Sequence, residues 1–253
     1  MFVRRLTADL KQQKWVTIAI ELIIVIVGVF VGTQVSNWNE DRLDRDETQQ
    51  MLLNLHPELR NDIAGFDALR AYYRVTRHYA DTAFAGWRGD PKVSDRDFVI
   101  AAYQASQNTF TGLNNNSWSQ IFGSERLHTV HDQILREELG ALMTTDYNVM
   151  EKEIFSNYRE HVRQVIPEDI QDAIRARCGD QRFGLVGSVR LPPTCTLALP
   201  DKRFRIAAKA LRDHPELVGE MRWHFAAVAT YLDNVSRLED ISRRALKRIE
   251  QAG

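Results

Sequence analysis

The apolar positions of this chain change their pattern near Trp38. From Trp15 to Val35 side chains are apolar on nearly every face, and Glu21 is the only charge. A helix rises ~1.5 Å per residue, so this run spans roughly 30 Å, the thickness of a bilayer's hydrocarbon core. Only a helix can cross there as a single segment, because unpaired backbone amides in lipid cost several kcal/mol each. Trp15 and Trp38 bracket the run as interface anchors, at the depth indole rings favour. The pattern predicts one transmembrane helix over residues 15–38.

Beyond Trp38 the apolar residues recur every three or four positions. Leu52, Leu55, Leu59, Phe66, Leu69, Tyr73, Ala80, Ala83 and Trp87 form one stripe, interrupted by Asp62 and Thr76. That spacing predicts a second helix over 40–87. Asn37-Trp38-Asn39-Glu40-Asp41 holds no Gly or Pro, so the membrane helix is expected to run into it. Pro57 lacks a backbone donor and is expected to kink or restart the helix near His56.

The break at Trp87-Arg88-Gly89-Asp90-Pro91 precedes an N-cap signal at Ser94, backed by Asp95 and Asp97. A helix to about Gln107, a short one around Trp118 to Phe122, and a long periodic run from Thr129 to Val165 follow. Pro167 closes that run, and a short helix holds Ile170 and Ile174. Residues 178–200 carry Gly, Pro and β-branched residues and suit a small hairpin or an irregular loop. Two helices finish the chain, split at Asp213-His214-Pro215-Glu216. The fold class expected is all-α: one N-terminal membrane helix, then an elongated exported helical bundle with a short, loop-rich, disulfide-tied insertion.

Flanking charge sets an orientation. Arg4, Arg5, Lys11 and Lys14 precede the apolar run against one acid, Asp9, whereas acids dominate just after it. Positive charge stays cytoplasmic, so the expectation is a bacterial inner-membrane protein with residues 1–14 cytoplasmic and 39–253 periplasmic. A cleaved signal peptide is the competing reading. Its core is roughly 7–15 residues and ends at a small-x-small site, and Gly32-Thr33-Gln34-Val35-Ser36 is a poor one.

On a helical wheel measured from Glu21, Gly28 lies at about −20°, Gly32 at about +20°, Thr17 at about −40° and Ser36 at about +60°. Small and polar residues thus share one stripe, and Gly28 and Gly32 form a G-x-x-x-G that lets two helix backbones approach closely. The stripe Thr17, Glu21, Gly28, Gly32, Ser36 is the expected helix–helix contact. In the bland alternative, Glu21 reaches back to the cytoplasmic headgroups or to Lys14 or Lys11, and the glycines are incidental.

Composition narrows the function classes. With 253 residues, 44% hydrophobic and 26% charged, the chain can bury a core. A net charge of −1 gives no reason to expect a nucleic-acid partner. Cys178 and Cys195 are the only cysteines, and an even count in an exported domain suits a disulfide; buried free thiols are the alternative. Glu125-x-x-His128 has the spacing of a di-iron bundle motif, but the second such motif is absent, so no metal is expected. Glu220 and His224 at i and i+4 read as a surface pair, and Arg243, Arg244, Lys247 and Arg248 as a solvated basic end. No P-loop, dinucleotide fingerprint or nucleophile elbow occurs, so neither a cofactor nor an enzymatic activity is expected. Asn114, Asn115, Asn116 and Trp118, in an amide-rich stretch, are the candidate ligand or partner loop; an ordinary polar connection is the alternative.

The block from Ile26 to Asn39, IVGVFVGTQVSNWN, resembles the opening of a family of uncharacterised bacterial single-pass membrane proteins. Its members carry an N-terminal anchor ending in V-x-N-W-N, then a helical exported region. The likeness extends over about residues 14–42 and, more faintly, over LHTVHDQILREEL, residues 127–139. It implies the same topology and carries no catalytic residues.

The expected function is a single-pass accessory or scaffold protein. Its partners would be membrane lipid and another membrane protein or complex, or a second copy of itself. A periplasmic ligand-sensing domain is the alternative. It would need a separate signalling partner, because so few residues precede the membrane helix. Ion-driven coupling through Glu21 is a third reading.

Overall fold

A computed structural model describes residues 15–110, 126–184 and 188–252. Among the described residues eight α-helices, one 3₁₀ turn at Arg126–Thr129 and one two-stranded ribbon make the regular structure. The described residues are 80% helical, in keeping with an all-α class.

Helix α1 runs from Trp15 to Trp87 and contains Pro57. The join between apolar run and periodic stripe is therefore helical, as expected, and the helix does not restart at His56. Proline removes the bond to the carbonyl of Leu53, and Leu53 is exposed, where water can satisfy that oxygen. The chain divides into two compact units between Met51 and Leu52, inside this helix.

In the first unit the helical residues from Trp15 onward are almost all exposed. One helix among the described residues, α1, is long and apolar enough to cross a membrane, and none of its apolar stretch is buried within the chain.

The second unit is a helical domain with a core of its own. From Leu52 onward α1 lies antiparallel to α8 (Glu216–Ala252). The pairing is marked by His56 with Glu250 at 3.0 Å, Tyr73 against Tyr231 with ring centroids 6.2 Å apart, and Arg77 5.4 Å from the centre of the Phe225 ring. Leu55, Leu59, Phe66, Leu69, Tyr73, Ala80 and Ala83 are all buried, so the predicted stripe is the core face. Asp62 and Thr76, which interrupt it, are buried as well.

Helix α2 (Asp95–Ala105) starts where the cap signal placed it: Ser94 Oγ accepts from the Asp97 amide at 3.1 Å. The long run expected over 129–165 is instead three helices: α3 (Gln133–Thr144), α4 (Tyr147–Glu153) and α5 (Asn157–Val165). Local polar chemistry breaks it. Asp132 caps α3 by accepting from the amides of Ile134 and Leu135 at 2.9 and 3.0 Å. Thr144 and Thr145 donate back to the carbonyls of Gly140 and Ala141, and Asp146 accepts from the Val149 amide at 3.2 Å, starting the next turn. Ser156 adopts extended backbone, φ −135° and ψ 154°, and separates α4 from α5.

Helix α6 (Glu168–Cys178) follows Pro167, and Ile170, Ile174 and Cys178 face the core. The segment after it holds a short hairpin, β1 (Gln181–Phe183) and β2 (Ser188–Arg190), with Gln181 paired to Arg190 and Phe183 to Ser188. Helix α7 (Asp201–Arg212) packs on α2, and α8 closes the domain against α3, α4 and α5.

Candidate functional site

The residues singled out in the apolar segment are Thr17, Glu21, Gly28, Gly32 and Ser36, and all five are exposed. A Cβ added at Gly28 or at Gly32 would meet nothing within 4 Å. The glycines therefore leave a shallow, unfilled strip of backbone on one side of α1, within reach of a second helix. Ser36 donates to Glu40 Oε1 at 3.4 Å, one turn on, so its hydroxyl is satisfied inside the helix. Trp15 and Trp38, 60% and 62% exposed, stand at the two ends of the strip.

Cys178 and Cys195 are joined as a disulfide, with Cα atoms 5.5 Å apart. The bridge clamps the segment after α6, which is also held by side chains of the core helices. Tyr79 donates to the Pro192 carbonyl at 2.9 Å, and Arg96 donates to the carbonyls of Leu197 and Leu199, each at 2.7 Å. Gln104, fully buried, donates to the Cys178 carbonyl at 2.8 Å.

Two expectations are corrected. Glu220 and His224 are not a surface pair, for they turn to different partners on α4–α5. Glu220 Oε1 is 2.7 Å from His161 Nδ1, and His224, fully buried, shares a 2.9 Å hydrogen bond with Ser156 Oγ. The basic run near the C-terminus is not simply solvated. Arg243 bonds Glu239, Arg244 bonds Glu138 at 2.7 Å and Arg248 bonds Asp132 at 3.1 Å, so the run ties α8 to itself and to α3. The side chains of Glu138 and Glu239 are 10% and 7% exposed, and such buried carboxylates need cations beside them.

The Ser156–His224 pair is a functional-looking contact that sequence reasoning missed. Ser156 sits inside what read as one unbroken helical run, and no capping-box partner follows it at Asp or Glu three residues on. A serine hydroxyl on an imidazole is the core of nucleophilic catalysis, but two features point to a structural bond here. Among the described residues no carboxylate orients the imidazole, since His224 Nε2 has no hydrogen-bond partner there and Glu220 is turned to His161. Burial, helped by the Arg159 cation, also pushes His224 down to about 4, which makes it a weak base. The cleft of about 390 Å³ beside Ser156 is lined by Arg159 and Arg163, whose guanidiniums are already bonded to Ser106 and Gln107.

Among the described residues no three His, Cys, Asp or Glu side chains are grouped so as to hold a metal. Glu125, the first residue of the Glu-x-x-His motif, lies outside the described residues, as do Asn114, Asn115, Asn116 and Trp118 of the candidate ligand loop. No protein-family model, curated protein or solved structure matches the chain.

Proposed function

We propose that the chain is a single-pass accessory protein of a bacterial inner membrane. It docks on another membrane protein, or on a second copy of itself, through the Thr17–Glu21–Gly28–Gly32–Ser36 face of α1. Its N-terminus is cytoplasmic and its helical domain periplasmic. The observation that carries the reading is the open glycine strip: a Cβ at Gly28 or Gly32 meets nothing within 4 Å among the described residues, although Gly86 in the same helix is packed against Phe98. Between membrane helices there is no hydrophobic drive, so close backbone packing and an interhelical polar contact are what select a partner. A lipid-facing charge costs ~2.5–3.5 kcal/mol at mid-bilayer on insertion scales and less at the depth of Glu21, roughly 9 Å past Trp15; the remaining cost favours turning Glu21 toward protein. The charge asymmetry about the helix and the likeness of Ile26–Asn39 to single-pass anchors support the topology.

Single cysteines at positions 28 and 32, crosslinked in native membranes, test the contact. The expected result is an adduct with a second copy or with one defined membrane protein, absent when the cysteine is moved to Val27 or Phe30 on other faces. No adduct from either glycine position overturns the proposal. Labelling a cysteine in the helical domain with a membrane-impermeant maleimide, on intact cells with permeabilised outer membranes, tests the orientation.

A further inference from the structure

Across its helix pairs the second unit matches cations with acceptors. Arg60 meets Glu250 at 2.8 Å, Arg203 meets Asp169 at 2.9 Å, Arg212 meets Asp95 at 2.9 Å and Arg244 meets Glu138 at 2.7 Å. One cleft departs from this pattern. Between α1 and α8 lies a depression of about 410 Å³ lined by Arg77, Phe84, Arg88, Arg222, Phe225 and Ala226. The end of α1, the turn that follows it and α8 bring Arg77, Arg88 and Arg222 to it, and no carboxylate lines it. Arg77 stacks on the Phe225 ring at 5.4 Å and reaches Asp81 at 3.3 Å, a pair with both side chains more than half exposed and hence worth little. The guanidiniums of Arg88 and Arg222 meet no acceptor among the described residues.

Like charges brought together repel, and the repulsion is relieved when an anion sits among them. Guanidinium forks match the oxygens of a phosphate in geometry as well as charge, and three of them around one depression suit a group with several acceptor oxygens. Phe84 and Phe225 add an apolar wall, which fits a ligand whose charged group is attached to something less polar.

We propose that this cleft is a phosphate-binding site, with Arg77, Arg88 and Arg222 as donors to the phosphate and Phe84 and Phe225 holding the uncharged part of the ligand. The phosphate belongs either to a free small molecule or to a lipid headgroup, which present the same chemistry to the arginines. The site is independent of the glycine strip, and either can fail without the other.

The test uses the full chain in a non-ionic detergent. Inorganic pyrophosphate is titrated by calorimetry at constant ionic strength against the wild type, Arg88→Ala/Arg222→Ala, and Arg205→Ala as a control on an exposed arginine of α7. In parallel, retention of phosphatidylglycerol against phosphatidylcholine is counted by native mass spectrometry on the same three proteins. Saturable pyrophosphate binding, weakened at least about tenfold in the double variant and unchanged in Arg205→Ala, assigns a free phosphate ligand. Retention of phosphatidylglycerol alone, lost only in the double variant, assigns the lipid headgroup. If neither probe depends on Arg88 and Arg222, or if Arg205→Ala weakens binding as much, the site does not exist.

Discussion

Ser156 Oγ lies 2.9 Å from His224 Nδ1, and this hydrogen bond joins the start of α5 to the N-terminal third of α8. The imidazole is fully buried, against Phe225 at 5.1 Å and Tyr158 at 6.1 Å between ring centroids, so it is held neutral. Its pKa falls from the ordinary 6.5 to about 4, first through desolvation and then through Arg159.

A buried neutral histidine makes stability depend on pH in a definite direction. The folded state binds fewer protons than the unfolded state between about 4 and 6.5, so the contribution is fully present above about pH 6.5. It is lost as the pH falls toward 4, by an amount on the order of 3 kcal/mol. The carboxyls of Asp132, Asp169, Glu216 and Glu250 are held below their usual range and weaken the fold only at lower pH. Asp180, pushed up by burial, works the other way. Unfolding midpoints between pH 7 and 4.5 should therefore drop for the wild type and flatten in His224→Gln. Equal slopes in both proteins would mean that His224 is not the titrating group.

Two helical glycines should respond to alanine with opposite signs. Alanine in an exposed helix interior is normally worth ~1 kcal/mol more than glycine. At Gly219 a Cβ meets nothing within 4 Å, so Gly219→Ala should stabilise by about 0.5–1 kcal/mol. At Gly86 the same Cβ runs into the Phe98 ring, which is already wedged edge-on against Trp87 at 5.0 Å and beneath Arg212 at 5.0 Å. Gly86→Ala should destabilise by about 1–3 kcal/mol through overpacking. Thermal midpoints of the two variants decide it, and a stabilised Gly86→Ala would show that α1 and α2 can separate at no cost.

The periodic features were legible in sequence because they need only local information. The stripe from Leu55 to Ala83 repeats every three to four residues, and Ser94 carries a recognisable cap, so both could be placed without knowing their neighbours. The stretch from Thr129 to Val165 misled because its apolar spacing continues across two breaks. One break is made by the Asp146 side chain and the other falls at Ser156, where the backbone is extended and the hydroxyl turns to His224; both residues looked compatible with a solvated helix face. The partners of His224, Glu220 and the terminal arginines were illegible for another reason. Apart from the local Arg243–Glu239 bond, each pairs with a residue dozens of positions away, at a distance set only by how the helices pack.

The Cys178–Cys195 bridge closes a loop with a sequence separation of 17, which is worth about 3 kcal/mol in the chain-entropy model. Four side-chain hydrogen bonds also hold this segment, from Tyr79, Gln104 and twice from Arg96. Cys178→Ser/Cys195→Ser should therefore lower the unfolding free energy by about 2–4 kcal/mol while leaving the segment docked. Adding Arg96→Ala should release it, because the carbonyls of Leu197 and Leu199 lose their shared donor. Amide exchange over residues 196–199 reads the difference: slow in the double serine variant, fast in the triple. Fast exchange already in the double variant would give the whole anchoring role to the bridge.

Glu21 separates a docking role from a proton-carrying one. If the carboxylate serves a helix–helix contact, Glu21→Gln keeps the size and the hydrogen-bonding capacity of the side chain. Association measured by crosslinking at Gly28 and Gly32 should then fall by no more than about threefold, consistent with interhelical hydrogen bonds that average ~0.6 kcal/mol in membranes. Gly28→Ile/Gly32→Ile, which fills the strip with branched side chains, should cut the same crosslink far more deeply, because it blocks backbone approach directly. If Glu21 instead carries protons, the ranking reverses. Glutamine cannot ionise, so Glu21→Gln would abolish function while the crosslink survives intact. A crosslink untouched by the isoleucine pair would remove the glycine strip as the contact and leave Glu21 to be explained some other way.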